Sequence, residues 1–135
     1  MSFRILIIDD DADVVETMKT VLKSSNYTIE SAYNSKEGLE KVISFDPQLI
    51  LLDVMISTPT DGFSLSYTLR SGENEYRKWL KTPIVMISSI NQELKMNYST
   101  KTDSEFMAVD EFIEKPINPE KLLELAKKYS NAQAR

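Results

Sequence analysis

Four short apolar runs in this chain each end in a polar signal. Ile5-Leu6-Ile7-Ile8 leads into Asp9-Asp10-Asp11, and Leu49-Ile50-Leu51-Leu52 leads into Asp53. Ile84-Val85-Met86-Ile87 leads into Ser88-Ser89, and Phe112-Ile113-Glu114 leads into Lys115-Pro116. Unbroken apolar runs of about four or five residues, closed by turn signals, read as strands buried on both faces, the form strands take in a parallel sheet. In an open parallel sheet the binding crevice lies beyond the carboxyl ends of the strands. One sheet edge would then collect carboxylates, a hydroxyl and an amine.

Between these runs the period changes from strand to helix. A first strand is expected over 4–8, and a helix over 12–24 with Val14, Met18, Val21 and Leu22 on one face. A second strand follows over 28–33. The next helix begins at Asn34, where Asn34 and Glu37 fit a capping box, and turns Leu39, Val42 and Ile43 inward. Phe45-Asp46-Pro47 ends it. The third strand is 49–52, and the helix after Asp61-Gly62 presents Phe63, Leu65 and Leu69. The stretch 71–81, with Tyr76 and Trp79, reads as a polar loop holding a short helix. The fourth strand is 84–87 and the fifth is 111–114. A fourth main helix is expected at 92–97, and 99–104 reads as loop. The last helix starts with Asn118 as N-cap and Pro119 at its first position, and buries Leu122, Leu125, Ala126 and Tyr129.

Composition narrows the chemistry. The 135 residues fit one domain, expected to span 1–135 with no effector domain attached. No stretch approaches the ~20 apolar residues of a membrane span and no signal-peptide pattern opens the chain, so a cytoplasmic protein is expected, without membrane association. There are no cysteines and no histidines. That excludes disulfides, thiolate or imidazole metal sites, and a phosphohistidine within this chain. The net charge is −5, with lysine and arginine scattered. Direct nucleic-acid binding is disfavoured, because it rests on clustered cations.

Taken singly, the strand-end residues have plain readings. An aspartate after a strand commonly caps the next helix, which suits one of Asp9, Asp10 and Asp11. Three adjacent carboxylates, however, repel one another, and a hard cation such as Mg²⁺ relieves that. Asp53 alone could be a turn residue, Ser88 a hydroxyl bonded to backbone, Lys115 a solvated cation and Phe112 core. Their placement at the same ends of strands of one sheet is the stronger observation.

With these residues in hand, from about Phe3 to Lys128, the chain resembles a response-regulator receiver domain, the phospho-accepting part of two-component signalling. The carrying residues are Asp9-Asp10 after the first strand, Asp53 in Leu51-Leu52-Asp53-Val54-Met55, Asp61-Gly62, Ser88, and Phe112-Ile113-Glu114-Lys115-Pro116. The resemblance implies a flavodoxin-like, doubly wound α/β fold: a five-stranded parallel sheet in order 2-1-3-4-5 with five helices. It implies that Asp53 accepts the phosphoryl group, with Mg²⁺ or Mn²⁺ held by Asp10 directly, by Asp9 mostly through water, by Asp53 and by the backbone carbonyl of Met55. Ser88 and Lys115 would contact the phosphoryl group, and Phe112 would be the aromatic switch. The peptide bond before Pro116 would be cis, as is usual in the family. Asp11 has no role in the family and is read as a helix cap or a solvated acid. The implied partners are a sensor histidine kinase or phosphotransfer protein and a downstream protein target. The chain would be a monomer or a phosphorylation-dependent dimer. It would not be a turnover enzyme, although autophosphorylation from small donors is expected.

The pattern is departed from in places. The loop after Asp53 has Ser57 where the family commonly has proline, with Pro59 following later, and looks longer than usual. The segment from Ser88 to Lys115 is also longer, with Met107-Ala108 in place of a small Gly-Ala pair. Phe112 has no phenol hydroxyl, so a switch there works by packing. Two rival readings stand beside the receiver. A haloacid-dehalogenase-type phosphatase would use Asp9 as its nucleophile, and an unphosphorylated interaction module would keep only the fold.

Overall fold

The computed structural model describes residues 3–23, 25–53, 61–71, 74–88 and 110–133. Five parallel strands form one sheet in the order β2-β1-β3-β4-β5. They are β1 (Phe3–Ile8), β2 (Tyr27–Ala32), β3 (Leu49–Asp53), β4 (Ile84–Ser88) and β5 (Glu111–Glu114). Four α-helices lie among the described residues: α1 (Ala12–Lys23), α2 (Ser35–Phe45), α3 (Asp61–Arg70) and a last helix (Pro119–Gln133). The helix expected at 92–97 and the loop expected at 99–104 lie outside the described residues. None of the described helices is long and apolar enough to cross a membrane.

The sheet separates two cores because successive strand side chains point to opposite faces. Ile5, Ile7, Leu49, Leu51, Val85, Ile87 and Ile113 pack with Val15, Met18 and Leu22 of α1 and Leu122, Leu125 and Ala126 of the last helix. Leu6, Ile8, Ile50, Leu52, Ile84 and Met86 pack with Val42 of α2, Leu65 and Leu69 of α3, and Trp79. Both faces of β1, β3 and β4 are therefore covered. That is why their sequences are unbroken apolar runs rather than alternating ones.

Helix ends follow their local signals. Asn34 Oδ1 accepts the N–H of Glu37 at 2.8 Å, starting α2. Asp46, before Pro47, takes the left-handed conformation (φ 56°) and closes α2, its N–H bonded to the carbonyl of Val42. The residue before a proline is biased away from the right-handed helical region, so the helix has to stop there. Asn118 Oδ1 accepts the N–H groups of Glu120 and Lys121 at 2.9 and 3.2 Å, with Pro119 as first helical residue.

Several expectations need correction. β2 starts and ends one residue earlier than its pattern indicated. In α1 the buried positions are Val15, Met18 and Leu22, while Val14 and Val21 are only partly buried. On α2, Ile43 is 46% exposed. The approach of Gly38 to Ile8 and Leu65 centres the buried stripe on Gly38 and Val42, and Ile43 falls outside it. Tyr129 is half-buried. The segment 71–81 does hold a short helix, a 3-10 turn at Asn74–Trp79, but it is no polar surface loop throughout, because Trp79 is buried in the second core. The side chain of Phe63 lies outside what is described.

Candidate functional site

The site lies where the backbone chains of β1, β3 and β5 run out at the same sheet edge. The N–H of Asp9 donates to the carbonyl of Ala32 at 3.0 Å, continuing the β1–β2 ladder one residue past the strand. That bond fixes Asp9 at the sheet edge with its side chain 1% exposed. Asp53 is the last residue of β3, paired with Ile87 of β4, and its side chain is 6% exposed. Lys115 follows β5 directly, and its peptide bond to Pro116 is cis, as expected.

The Lys115 ammonium stands 3.2 Å from Asp9 Oδ2 and 3.5 Å from Asp53 Oδ2. Burial alone would lower the pKa of Lys115. The charges of Asp53 and then Asp9 outweigh burial and hold the ammonium above the usual lysine value. Asp9 Oδ1 accepts the N–H of Asp11 at 2.9 Å. Asp9 Oδ2 is buried, and although the ammonium is within ion-pair range, no described donor gives it an aligned hydrogen bond. Such an atom is costly to bury unless something positive compensates it.

Asp10 is exposed and completes a cluster in which one carboxylate oxygen each from Asp9, Asp10 and Asp53 lies within 4.8 Å of the others. Mg²⁺ takes oxygen ligands and commonly uses one or two carboxylates with waters, which three carboxylates gathered this closely could supply. With the under-bonded Asp9 Oδ2, the donor set fits a small hard cation.

Asp11 belongs to the helix instead. Its Oδ1 accepts the N–H of Asp13 at 2.9 Å and of Val14 at 3.4 Å, which makes it the cap of α1 as expected. The sequence pattern did not reveal that the N–H of Asp11 also ties down Asp9. A cavity of about 240 Å³, lined by Asp13, Val14, Thr17, Lys115, Pro116 and Ile117, lies beside the site and was likewise not foreseen.

Ser88 ends β4 opposite Glu114, at the same sheet edge, but its side chain lies outside the described residues, and Met55 lies outside them entirely. Phe112 is half-buried, paired with Met86 and packed against the second core.

Comparison with known proteins agrees with this geometry. The family model of the response regulator receiver domain matches residues 5–127. A curated relative, the response regulator GtcR of Aneurinibacillus migulanus, is 32% identical over 119 residues, covering 88% of this chain and 44% of that protein. The chain spans about half the length of the curated relatives it matches. Among solved structures, a two-component response regulator from Clostridium difficile is similar at 26% identity and a TM-score of 0.79, covering 99% of this chain and 100% of that one. A CheY-like receiver domain protein from Methanospirillum hungatei is 25% identical with a TM-score of 0.79, covering 99% of this chain and 98% of that one. Neither rival reading finds support in these comparisons. The sheet order, the carboxylates and lysine gathered at one strand edge, and the match over most of its length establish that this chain belongs to the response regulator receiver domain family.

Proposed function

We propose that this receiver takes a phosphoryl group onto Asp53 from a histidine kinase or phosphotransfer protein, and that the modification alters its surface for a downstream protein partner. The observation that carries the reading is the Lys115 ammonium lying against the buried carboxylates of both Asp9 and Asp53. An oxygen of the Asp53 carboxylate attacks the phosphorus of phosphohistidine or a small phosphodonor. The P–N or donor P–O bond breaks, and an acyl phosphate remains on Asp53. Phosphoryl transfer asks the protein mainly to position groups and neutralise charge. In this reading Lys115, beside Asp53, meets the incoming oxygens.

Asp9, Asp10 and Asp53, with the carbonyl of Met55, would hold Mg²⁺ or Mn²⁺. When bound, the ion supplies positive charge to the phosphoryl oxygens. Before transfer Lys115 is shared between two carboxylates. A phosphoryl group on Asp53 adds charge and acceptors at that point. In this reading the hydroxyl of Ser88 and the ammonium of Lys115 draw toward it. Phe112, half-buried beside Met86 and against the second core, then repacks and remodels the face around β5.

Intact mass after incubation with Mg²⁺ and acetyl phosphate tests this. Wild type should gain one phosphoryl group, and neither Asp53→Asn nor metal-free protein should. A modification that survives in Asp53→Asn and requires Asp9 would replace this reading with the phosphatase one. A folded protein that accepts nothing from acetyl phosphate, phosphoramidate or a phosphorylated histidine kinase would leave only an interaction module.

A further inference from the structure

We propose that Asp11 is a positioning residue for this site, acting through the helix cap it forms and not through its charge. The proposal rests on the reading of Asp9 as a metal-binding carboxylate. The two oxygens of Asp9 are in different situations. Oδ1 is held by the N–H of Asp11 at 2.9 Å, while Oδ2 is buried, lacks an aligned donor and faces Lys115. The terminal torsion of an aspartate is broad and roughly two-fold, so the Asp11 N–H on Oδ1, together with the Lys115 ammonium beside Oδ2, sets how the carboxylate is turned. The Asp11 donor is a backbone N–H, and its direction depends on the turn between β1 and α1.

The side chain of Asp11 fixes that turn by bonding forward to the N–H groups of Asp13 and Val14 at 2.9 and 3.4 Å. The same residue therefore grips the helix with its carboxylate and the site with its amide. The Asp11 carboxylate is not among the three that converge on the cation site, and its oxygen is turned to the start of α1. Loosening the cap should free the Asp9 carboxylate to turn, without removing any ligand or any charge from the cluster.

The test compares Asp11→Ala, Asp11→Asn and Asn34→Ala with wild type, all at a temperature where circular dichroism shows them folded. Calorimetric titration gives Mg²⁺ affinity, and acetyl phosphate gives the phosphorylation rate over a range of Mg²⁺. Asp11→Ala should weaken Mg²⁺ binding about tenfold, in the range seen when groups that orient metal ligands are removed. Its phosphorylation rate should recover at saturating Mg²⁺. Asparagine caps helices as well as aspartate does, so Asp11→Asn should bind as wild type does. Asn34→Ala loses a comparable cap on α2 and should leave Mg²⁺ affinity unchanged.

Wild-type affinity in Asp11→Ala overturns the proposal. So does an Asp11→Asn variant as weak as Asp11→Ala, which would assign the effect to charge. An equal loss in Asn34→Ala would assign it to general destabilisation and overturn it too. Failure of wild type itself to bind Mg²⁺ or to modify Asp53 removes the reading of the site, and the positioning role with it. That outcome is read on wild type alone and is distinct from the others.

Discussion

Asp9 and Asp53 are buried acids held beside a single lysine, with a third carboxylate from Asp10 close by. One positive charge against three negative ones leaves the cluster repulsive without a cation. At an effective dielectric near 20, unit charges about 4–5 Å apart interact by roughly 3–4 kcal/mol, and counter-ions and solvent reduce that at Asp10. The receptive arrangement is therefore bought with stability. Asp53→Asn should raise metal-free stability, on the order of 1–3 kcal/mol in urea unfolding. Added Mg²⁺ should stabilise wild type more than the variant. A metal-free variant less stable than wild type would mean that Lys115 already balances the cluster. The acidic residues and the lysine were legible in the sequence because each ends an apolar strand run or follows it closely. The amide of Asp11 was not, since a backbone N–H leaves no trace in residue identity.

At the scale of elements, the strands were the most legible part. β1, β3 and β4 are covered on both faces, so burial wrote itself into unbroken apolar runs. The start of the last helix was equally plain from Asn118-Pro119. Contacts between elements were not, and Gly38 shows why. Nothing local marks it as more than a weak helix residue, yet a Cβ there would stand 2.8 Å from Ile8 Cδ1, 3.2 Å from Ile8 Cγ2 and 3.3 Å from Leu65 Cδ1. Replacing glycine by alanine inside a helix gains about 1 kcal/mol of propensity, whereas overpacking a core costs about 1–3 kcal/mol. Ile8 is β-branched and fully buried, so it has little room to give. Gly38→Ala should thus lower stability by about 1 kcal/mol, measured by chemical denaturation. A stabilised variant would show that Ile8 can move aside. Trp79 was missed for a related reason. Its six-residue 3-10 helix is too short to show a period, and Trp79 is held in the second core with a hydrogen bond to Asp46, far away in sequence.

At the scale of the whole molecule, two clusters of charged groups stand at opposite ends of the sheet. Beyond the strand ends lie Asp9, Asp10, Asp53 and Lys115. Where strands begin, Asp46 gathers Arg4, Lys78 and Trp79. Its carboxylate accepts from Trp79 Nε1 at 2.8 Å, Lys78 Nζ at 3.0 Å and an Arg4 terminal nitrogen at 3.4 Å, while its carbonyl accepts from Arg4 Nε at 2.6 Å. Burial alone would raise the pKa of Asp46, but the hydrogen bonds of Trp79 and Lys78 and the charges of Lys78 and Arg4 carry it below the usual carboxylate value. Glu111 is lowered likewise: Lys128 and Tyr129 overcome its burial. A lowered folded pKa contributes stability above the unfolded value, and that contribution is lost as pH falls through the folded one. The melting temperature should therefore be flat near neutrality and fall as pH drops below about 4. Asp46→Ala should melt lower at neutral pH, where it has lost these bonds and must hold alanine in a left-handed conformation, and should show a shallower acid decline. An unchanged acid slope in that variant would place the sensitivity elsewhere.

Trp79 is the chain's one tryptophan, and it is clasped by Asp46 at the end of the sheet away from Asp9 and Asp53. Its light emission is therefore a reporter of the sheet's far end and of global unfolding. Quenching or a spectral shift on adding Mg²⁺ would signal motion carried through the whole sheet, whereas a silent signal would leave the binding of the ion untouched as a question.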